Sequence, residues 1–169
     1  MVKKIILIIV LLPILLWVLS PKKELLYLLE KQLAKQGVVL SDGTIREHPF
    51  GLTIEHPSLY FKGIKVATAD TISFWSVLAY TQGTIDTVAF DPSLHSYLPE
   101  KIEKVLLVHN VLDPNTAVLS IIDSAFTGEG SVEIMARKVH MLFPTLSDKS
   151  ALTRYLKHTK GGWTYEQRF

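Results

Sequence analysis

No cysteine occurs among the 169 residues. That excludes disulfides, zinc–thiolate sites and a cysteine nucleophile in one step, while leaving the compartment open. Charge is sparse as well. Of the 18 lysines and arginines, Lys3, Lys4, Lys22 and Lys23 flank one apolar run, leaving 14 basic against 16 acidic residues in the remainder. The formal +2 therefore describes the flanks of that run, and no basic face suited to nucleic acid is visible. Glycine patterns are equally bare of chemistry. There is no G-x-x-x-x-G-K-[ST], H-E-x-x-H, G-x-S-x-G or EF-hand pattern, and Gly128-x-Gly130 lacks a third glycine and a strand-to-helix context, which leaves a hairpin turn. The aromatics are scattered, without the arginine interleaving of RNA-binding sheets.

What is there begins at the N-terminus. Residues 5–20, IILIIVLLPILLWVLS, carry no charge. As a helix they rise about 24 Å, short of the roughly 30 Å hydrocarbon core, and the flanking lysine pairs snorkel to make up the difference. Pro13 is tolerated in a membrane helix, with a kink. A cleavable signal peptide is the rival, but the exit Val18-Leu19-Ser20-Pro21 has no small-x-small site and puts proline where a new N-terminus would fall. The expectation is an uncleaved anchor over residues 1–21. Its N-terminus is expected in the cytoplasm and everything after Pro21 outside, because long domains translocate largely regardless of charge.

The next segment, PKKELLYLLEKQLAKQG, repeats Leu25, Leu29 and Leu33 every four residues, with Glu24, Lys31 and Lys35 opposite. This predicts an amphipathic helix over 22–36, opened by proline and stopped by Gly37. It prolongs the anchor, lies on the bilayer, or caps the end of a sheet. From Val38 the period changes to two. Strands are expected at 38–40, 44–47, 51–55, 58–61, 64–68, 71–74, 84–90, 104–111, 117–122, 131–137 and 139–143, broken by turn residues such as Lys62-Gly63 and Asp113-Pro114-Asn115. Many short strands with tight turns predict an antiparallel meander. Two further helical pieces are expected, one turn over 74–81 and an amphipathic helix over 147–158 with Ser147 as N-cap; Trp163-Thr164-Tyr165 reads as a last strand. The domain plan is thus an anchor (1–21), a helix (22–37), an antiparallel β domain (38–146) and a C-terminal helix with a short strand (147–169).

The fold class expected is mainly β: a transmembrane helix, then a curved antiparallel sheet forming a half-barrel or sandwich, with one or two amphipathic helices. Such a sheet must cover its apolar face. Two short helices are too little cover, so the sheet either closes on itself or leaves an apolar groove of the kind that marks a ligand or partner.

Candidate chemistry is thin. Glu47-His48-Pro49 and Glu55-His56-Pro57 repeat EHP, which could supply two histidines and two carboxylates to a metal. No third cluster joins them, and proline forces the preceding residue out of a regular ladder, so each EHP ends or kinks a strand. Asp91, Ser93 and His95 superficially suggest a triad, but near neighbours on a loop rarely take the required geometry. No enzyme activity, metal or cofactor is expected.

In VATADTISFWSVLAYTQGTIDTVAFD, residues 66–91, one strand places Ile72 and Phe74 on one face and another places Asp86, Val88 and Phe90 on one face, joined by an apolar segment over 75–80. The single span, the helix ending in Gly37-x-x-Leu40, the pair LTIEHPSLYFKGIKVATADTISF and the run GTIDTVAF together resemble the N-terminal repeat of AsmA-like envelope proteins, particularly type II secretion system protein N. TGEGSVEIMARKVHMLF, residues 127–143, resembles their recurrent glycine-started strand pair. The resemblance implies an inner-membrane-anchored periplasmic protein with a taco-like sheet, assisting protein secretion or lipid transport. Its partners would be the bilayer, proteins of an envelope complex and lipid acyl chains, and not nucleic acid. The candidate apolar groove face is Leu52, Ile54, Ile72, Phe74, Val88 and Phe90; the alternative for these residues is the core of a closed sandwich. The alternative function is a structural subunit of a large envelope machine, such as a secretion apparatus or flagellar motor, binding proteins through sheet edges and its C-terminal helix.

Overall fold

The computed structural model describes residues 22–41, 43–77, 79–147 and 150–168. The apolar run read as an anchor lies outside them. Among the described residues no helix is long and apolar enough to cross a membrane.

Helix α1, Lys22–Lys35, carries Glu24 in its first turn and Lys35 in its last, both complementing the helix dipole. Gly37 stops it at φ 81°, donating its N–H to the Ala34 carbonyl at 3.0 Å. The helix packs beside β1 (Val38–Ser41) and β3 (Gly51–Glu55), so it covers one end of the sheet.

The chain is mainly β, as its two-residue periodicity predicts, and every strand joins one curved, open antiparallel sheet. β2 (Thr44–His48) pairs with β3, which lies against β5, while β4 (Ser58–Phe61), β5 (Ile64–Val77), β6 (Tyr80–Phe90), β7 (Lys101–Asn110), β8 (Asp113–Ile122), β9 (Thr127–Glu133) and β10 (Lys138–Phe143) follow one another as a meander. β1 on β4 and β2 on β3 keep one register, so β1 and β2 act as one interrupted edge strand against β3 and β4. After β10 the chain doubles back, and β12 (Gly162–Arg168) pairs with β10 while β11 (Lys157–Thr159) forms the far edge. The two edges do not pair with each other among the described residues.

Three expectations fail for identifiable reasons. Gly128-x-Gly130 is not a hairpin turn but part of β9, its glycines making room for Phe143 and Met141, and the turn falls over 134–137, inside the strand expected at 131–137. Residues 74–81 are not a helical turn: β5 runs on to Val77 and β6 begins at Tyr80, with Val77 paired to Tyr80 across a two-residue connection. Apolar residues on both faces of that hairpin hide its period. The C-terminal amphipathic helix shrinks to a 3-10 turn, Ala151–Tyr155, capped by Ser150 rather than Ser147, and His158 belongs to β11. The leucines of that segment instead serve the core, where Leu152 and Leu156 pack on Phe126, Met141, Phe143 and Leu146.

A transverse line of lapsed pairing crosses the sheet. His56 at φ 52° separates β3 from β4, Asp70 faces Thr87 outside the ladder, and Thr87, at φ 51°, faces Glu103 likewise. The chain keeps its register across the line, since the His56 N–H donates to the Asp70 carbonyl (2.9 Å) and Ala69 N–H to that of Pro57 (3.0 Å). The EHP reading holds here: the first EHP ends β2 and the second kinks the strand. A β-branched residue with positive φ pays steric strain of about 1–2 kcal/mol. Thr87→Asn, which tolerates this backbone, should therefore raise stability by about 1 kcal/mol in thermal unfolding followed by circular dichroism, whereas Thr87→Val should bring no gain.

Candidate functional site: an uncovered apolar sheet face

Cross-strand partners share a face, so the register fixes which side chains lie together. On the long part of the sheet, one face carries Leu52 and Ile54, then Ile72 and Phe74, then Gly83 and Ile85, then Val105 and Leu107, then Leu119 and Ile121. It continues through Gly128 and Gly130 to Met141 and Phe143, and ends on Trp163 and Tyr165. The opposite face carries the cross-strand ion pairs Arg46–Glu55 (3.1 Å), Asp86–Lys104 (3.4 Å) and Lys138–Glu166 (3.1 Å). The Lys138 ammonium holds the Glu166 carboxyl below its usual value by hydrogen bonding and charge.

The apolar face is covered at its two ends and bare between them. Leu52 and Ile54 are buried beside α1, and Ile54 shares a small recess with Glu30 of the helix. At the other end the segment after β10 brings Leu146 onto Phe126, Met141 and Phe143. Between these ends, β6 and β7 contain no buried residue, although each is hydrogen-bonded on both sides. Phe74 is 45% exposed and Leu107 40%. A strand inside a sheet ordinarily buries one face against a second layer; among the described residues no second layer covers β6 and β7.

Polar groups on this bare stretch are already engaged. Thr81 Oγ1 lies 2.8 Å from Ser76 Oγ, and His109 Nε2 lies 3.2 Å from the Pro114 carbonyl oxygen. What the stretch presents is hydrocarbon.

Of the six residues singled out from the sequence, the structure brings four together. Leu52, Ile54, Ile72 and Phe74 stand side by side, the first two closed under the helix end and the second two on the bare stretch. Val88 and Phe90 lie past the kink at Thr87, so alternation counted from Asp86 does not carry over to them. They are half-buried opposite Ala69 and Ala67, and Val88 also pairs with Ile102, which packs on the core cluster. Sequence reading missed Ile85, Val105, Leu107, Leu119 and Ile121, the middle of the face. In KIEKVLLVHN the run Val105–Leu106–Leu107–Val108 is apolar on both faces, and only the register with β6 separates them.

The loop trio forms no triad. Ser93 donates both its N–H (3.0 Å) and its hydroxyl (2.6 Å) to Asp91 Oδ1, while the His95 ring contacts the Phe90 carbonyl oxygen at 3.1 Å. Those bonds cap a 3-10 turn and hold the Asp91 carboxyl below its ordinary value, with no Ser–His contact made. Beside it, a depression of about 170 Å³ between Ala67, Phe90 and Pro92 is smaller than an ordinary ligand pocket. Among the described residues no three metal-binding side chains gather; His48 lies 3.4 Å from the Thr53 hydroxyl instead.

No family model, no curated protein and no solved structure matches the chain. Its apolar face therefore has to be read from its own chemistry.

Proposed function

We propose that this is a membrane-anchored, non-enzymatic envelope protein of the inner membrane, its sheet a half-barrel in the periplasm that shelters lipid acyl chains during transport between membranes or during protein secretion. The observation that carries the reading is the bare centre of the sheet: two strands paired to a neighbour on each side yet with no buried residue, presenting hydrocarbon whose few polar neighbours are internally paired. An acyl chain needs apolar area and no hydrogen bonds. An extended peptide laid on the face would leave its backbone groups unpaired. The resemblance to AsmA-like proteins and to type II secretion system protein N agrees with this chemistry, and the apolar run before Lys22 supplies the anchor.

The test uses the full chain in phospholipid vesicles carrying a phosphatidylcholine with a photoreactive acyl chain. Crosslinks are expected in peptides from β5 to β8, and Leu107→Asp, at a site already partly in solvent, should remove them while leaving far-ultraviolet dichroism unchanged. Crosslinks confined to residues before Lys22 would sink the reading.

A scaffold subunit of an envelope machine is the second reading. It draws on β12, whose outer edge is paired by β11 only from Gly162 to Thr164 among the described residues. Co-purification of a stoichiometric protein partner from membranes, with no lipid crosslink to β5–β8, would favour it.

A further inference from the structure

The meander sorts its connections to two ends of the sheet, and the two ends differ in character. At one end stand the turns at Pro49-Phe50, at Ala79, at Val111-Leu112 and over 134–137; at the other stand Lys62-Gly63, the loop 91–100, the loop 123–126 and Lys160-Gly161. Hairpin tips ordinarily carry glycine, asparagine, aspartate and other polar residues. The second end keeps polar residues at its hairpin tips, with Lys62 and Gly63 both at positive φ in the manner of a type I′ turn, although Tyr97 in the loop 91–100 is exposed. The first end breaks the rule. Leu112 and Met135 are 87% and 83% exposed, the most exposed large apolar side chains among the described residues, and both sit at tips. Val111, Ile134 and Phe50 are exposed beside them.

The helix direction brings in a second, independent fact. Lys23 Nζ lies 3.7 Å from Glu47 near the Pro49-Phe50 turn, whereas Gly37 accepts a hydrogen bond from the Lys62 N–H at the opposite end. Helix α1 thus starts at the apolar end of the sheet, and the apolar run that precedes Lys22 in the sequence joins the domain there.

We propose that this rim of apolar turns seats in the bilayer that holds the N-terminal run, so that the sheet stands on the membrane by Phe50, Val111, Leu112, Ile134 and Met135. The proposal rests on the membrane-anchor reading and adds where, and by which side chains, the domain meets the lipid. Apolar tips flanked by aromatic residues are what an interface accepts, and Trp75, exposed and edge-on to Tyr80 with ring centres 5.8 Å apart, lies beside the tips at the end of β5. Two rim lysines are ion-paired, Lys23 with Glu47 and Lys138 with Glu166, while Arg137 and Arg168 are exposed at the same end, so apolar area seats the rim and anionic lipid adds a salt-screened attraction. The exposed Phe61 and Ile64 at the other end stand one position inside a charged tip, with the Lys62 ammonium 5.4 Å from the Phe61 ring centre.

The chain has no cysteine, so single cysteines placed in the full-length protein take a fluorophore cleanly. Leu112→Cys and Met135→Cys report the rim; Ile64→Cys and Lys160→Cys report the opposite end. The full chain is reconstituted in phosphatidylethanolamine–phosphatidylglycerol vesicles with nitroxide-labelled phosphatidylcholine. The rim probes should lose fluorescence to the nitroxide and shift to the blue, while the Ile64 and Lys160 probes do neither, and the contrast should survive raised salt. Co-flotation with vesicles but water-exposed rim probes would overturn this inference and leave the anchor standing, the outcome expected if the tips meet a protein instead. Quenching at Ile64 in place of the rim would overturn it too. Failure of the chain to float with vesicles at all would remove the anchor reading and this inference with it.

Discussion

Replacing Phe143 with alanine should lower the thermal midpoint by roughly 6–20 °C, the equivalent of about 3–5 kcal/mol in a chain of this size. Phe143 is buried at the centre of the core cluster, its ring 6.1 Å from that of Phe126 and tilted by 58°. Its ring also lies over Gly128, where a Cβ would stand 2.5 Å from Phe143 Cε1, so the missing side chain on β9 is replaced by the aromatic on β10. Removing the ring leaves a cavity bounded by Phe126, Met141 and Leu146, and exposes the glycine strand beneath. A domain stable by about 5–15 kcal/mol loses roughly a fifth or more of its margin by such a change. The comparison that gives the number meaning is Phe74→Ala on the same sheet face. Phe74 is nearly half in solvent and closes no cavity, so its loss should cost less than about 1 kcal/mol. Thermal unfolding of both variants, followed by far-ultraviolet dichroism, separates the covered end from the bare centre. Equal losses would mean that the centre is covered too, and would count against the open-face function.

Much of this was legible in the sequence, and the part that was not has physical causes. The change from a four-residue to a two-residue period at Val38 marks the end of α1 and the start of the sheet. Lys62-Gly63 and the EHP repeats mark real turns and kinks because glycine and proline act on their own backbone. Thr87 gives no such warning: a β-branched residue at positive φ is dictated by its neighbours across the sheet, and the alternation count from Asp86 to Phe90 goes out of phase there. The hairpin at Val77 and Tyr80 and the stretch 105–108 are apolar on both faces, so periodicity is silent and only pairing assigns the sides. Whether the face is open depends on how far apart the two edge strands end. That distance is the sum of twist and kinks over the whole sheet and leaves no local signature. The apolar rim of Leu112 and Met135 was not legible, because Met135 falls inside the strand expected over 131–137 and only the meander brings the two turns to the same end.

Two glycines on that one face should answer the same substitution with opposite signs. Glycine inside a strand is generally worse than alanine by about 0.5–1 kcal/mol, since it gives up more conformational freedom on folding. Gly83→Ala should follow the rule and gain that amount: it lies on the bare centre, where a new Cβ meets only Leu107 Cβ at 3.9 Å, an ordinary contact. Gly130→Ala should reverse it. Gly130 is held between Leu119 of β8 and Met141 of β10, and its Cβ would stand 2.0 Å from the His140 carbonyl oxygen and 2.8 Å from Met141 Cα. Both are backbone atoms, which cannot swing aside as a side-chain tip can. β9 and β10 must part or slip, and a slip of one residue would turn Met141 and Phe143 away from the core. The expected loss is about 3 kcal/mol or more, the upper range for overpacking. The measurement is the denaturation midpoint of each variant against the parent chain. A stabilised Gly130→Ala would show that β9 and β10 are not packed this closely, and with that the covered end of the sheet, against which the bare centre is defined, would lose its basis.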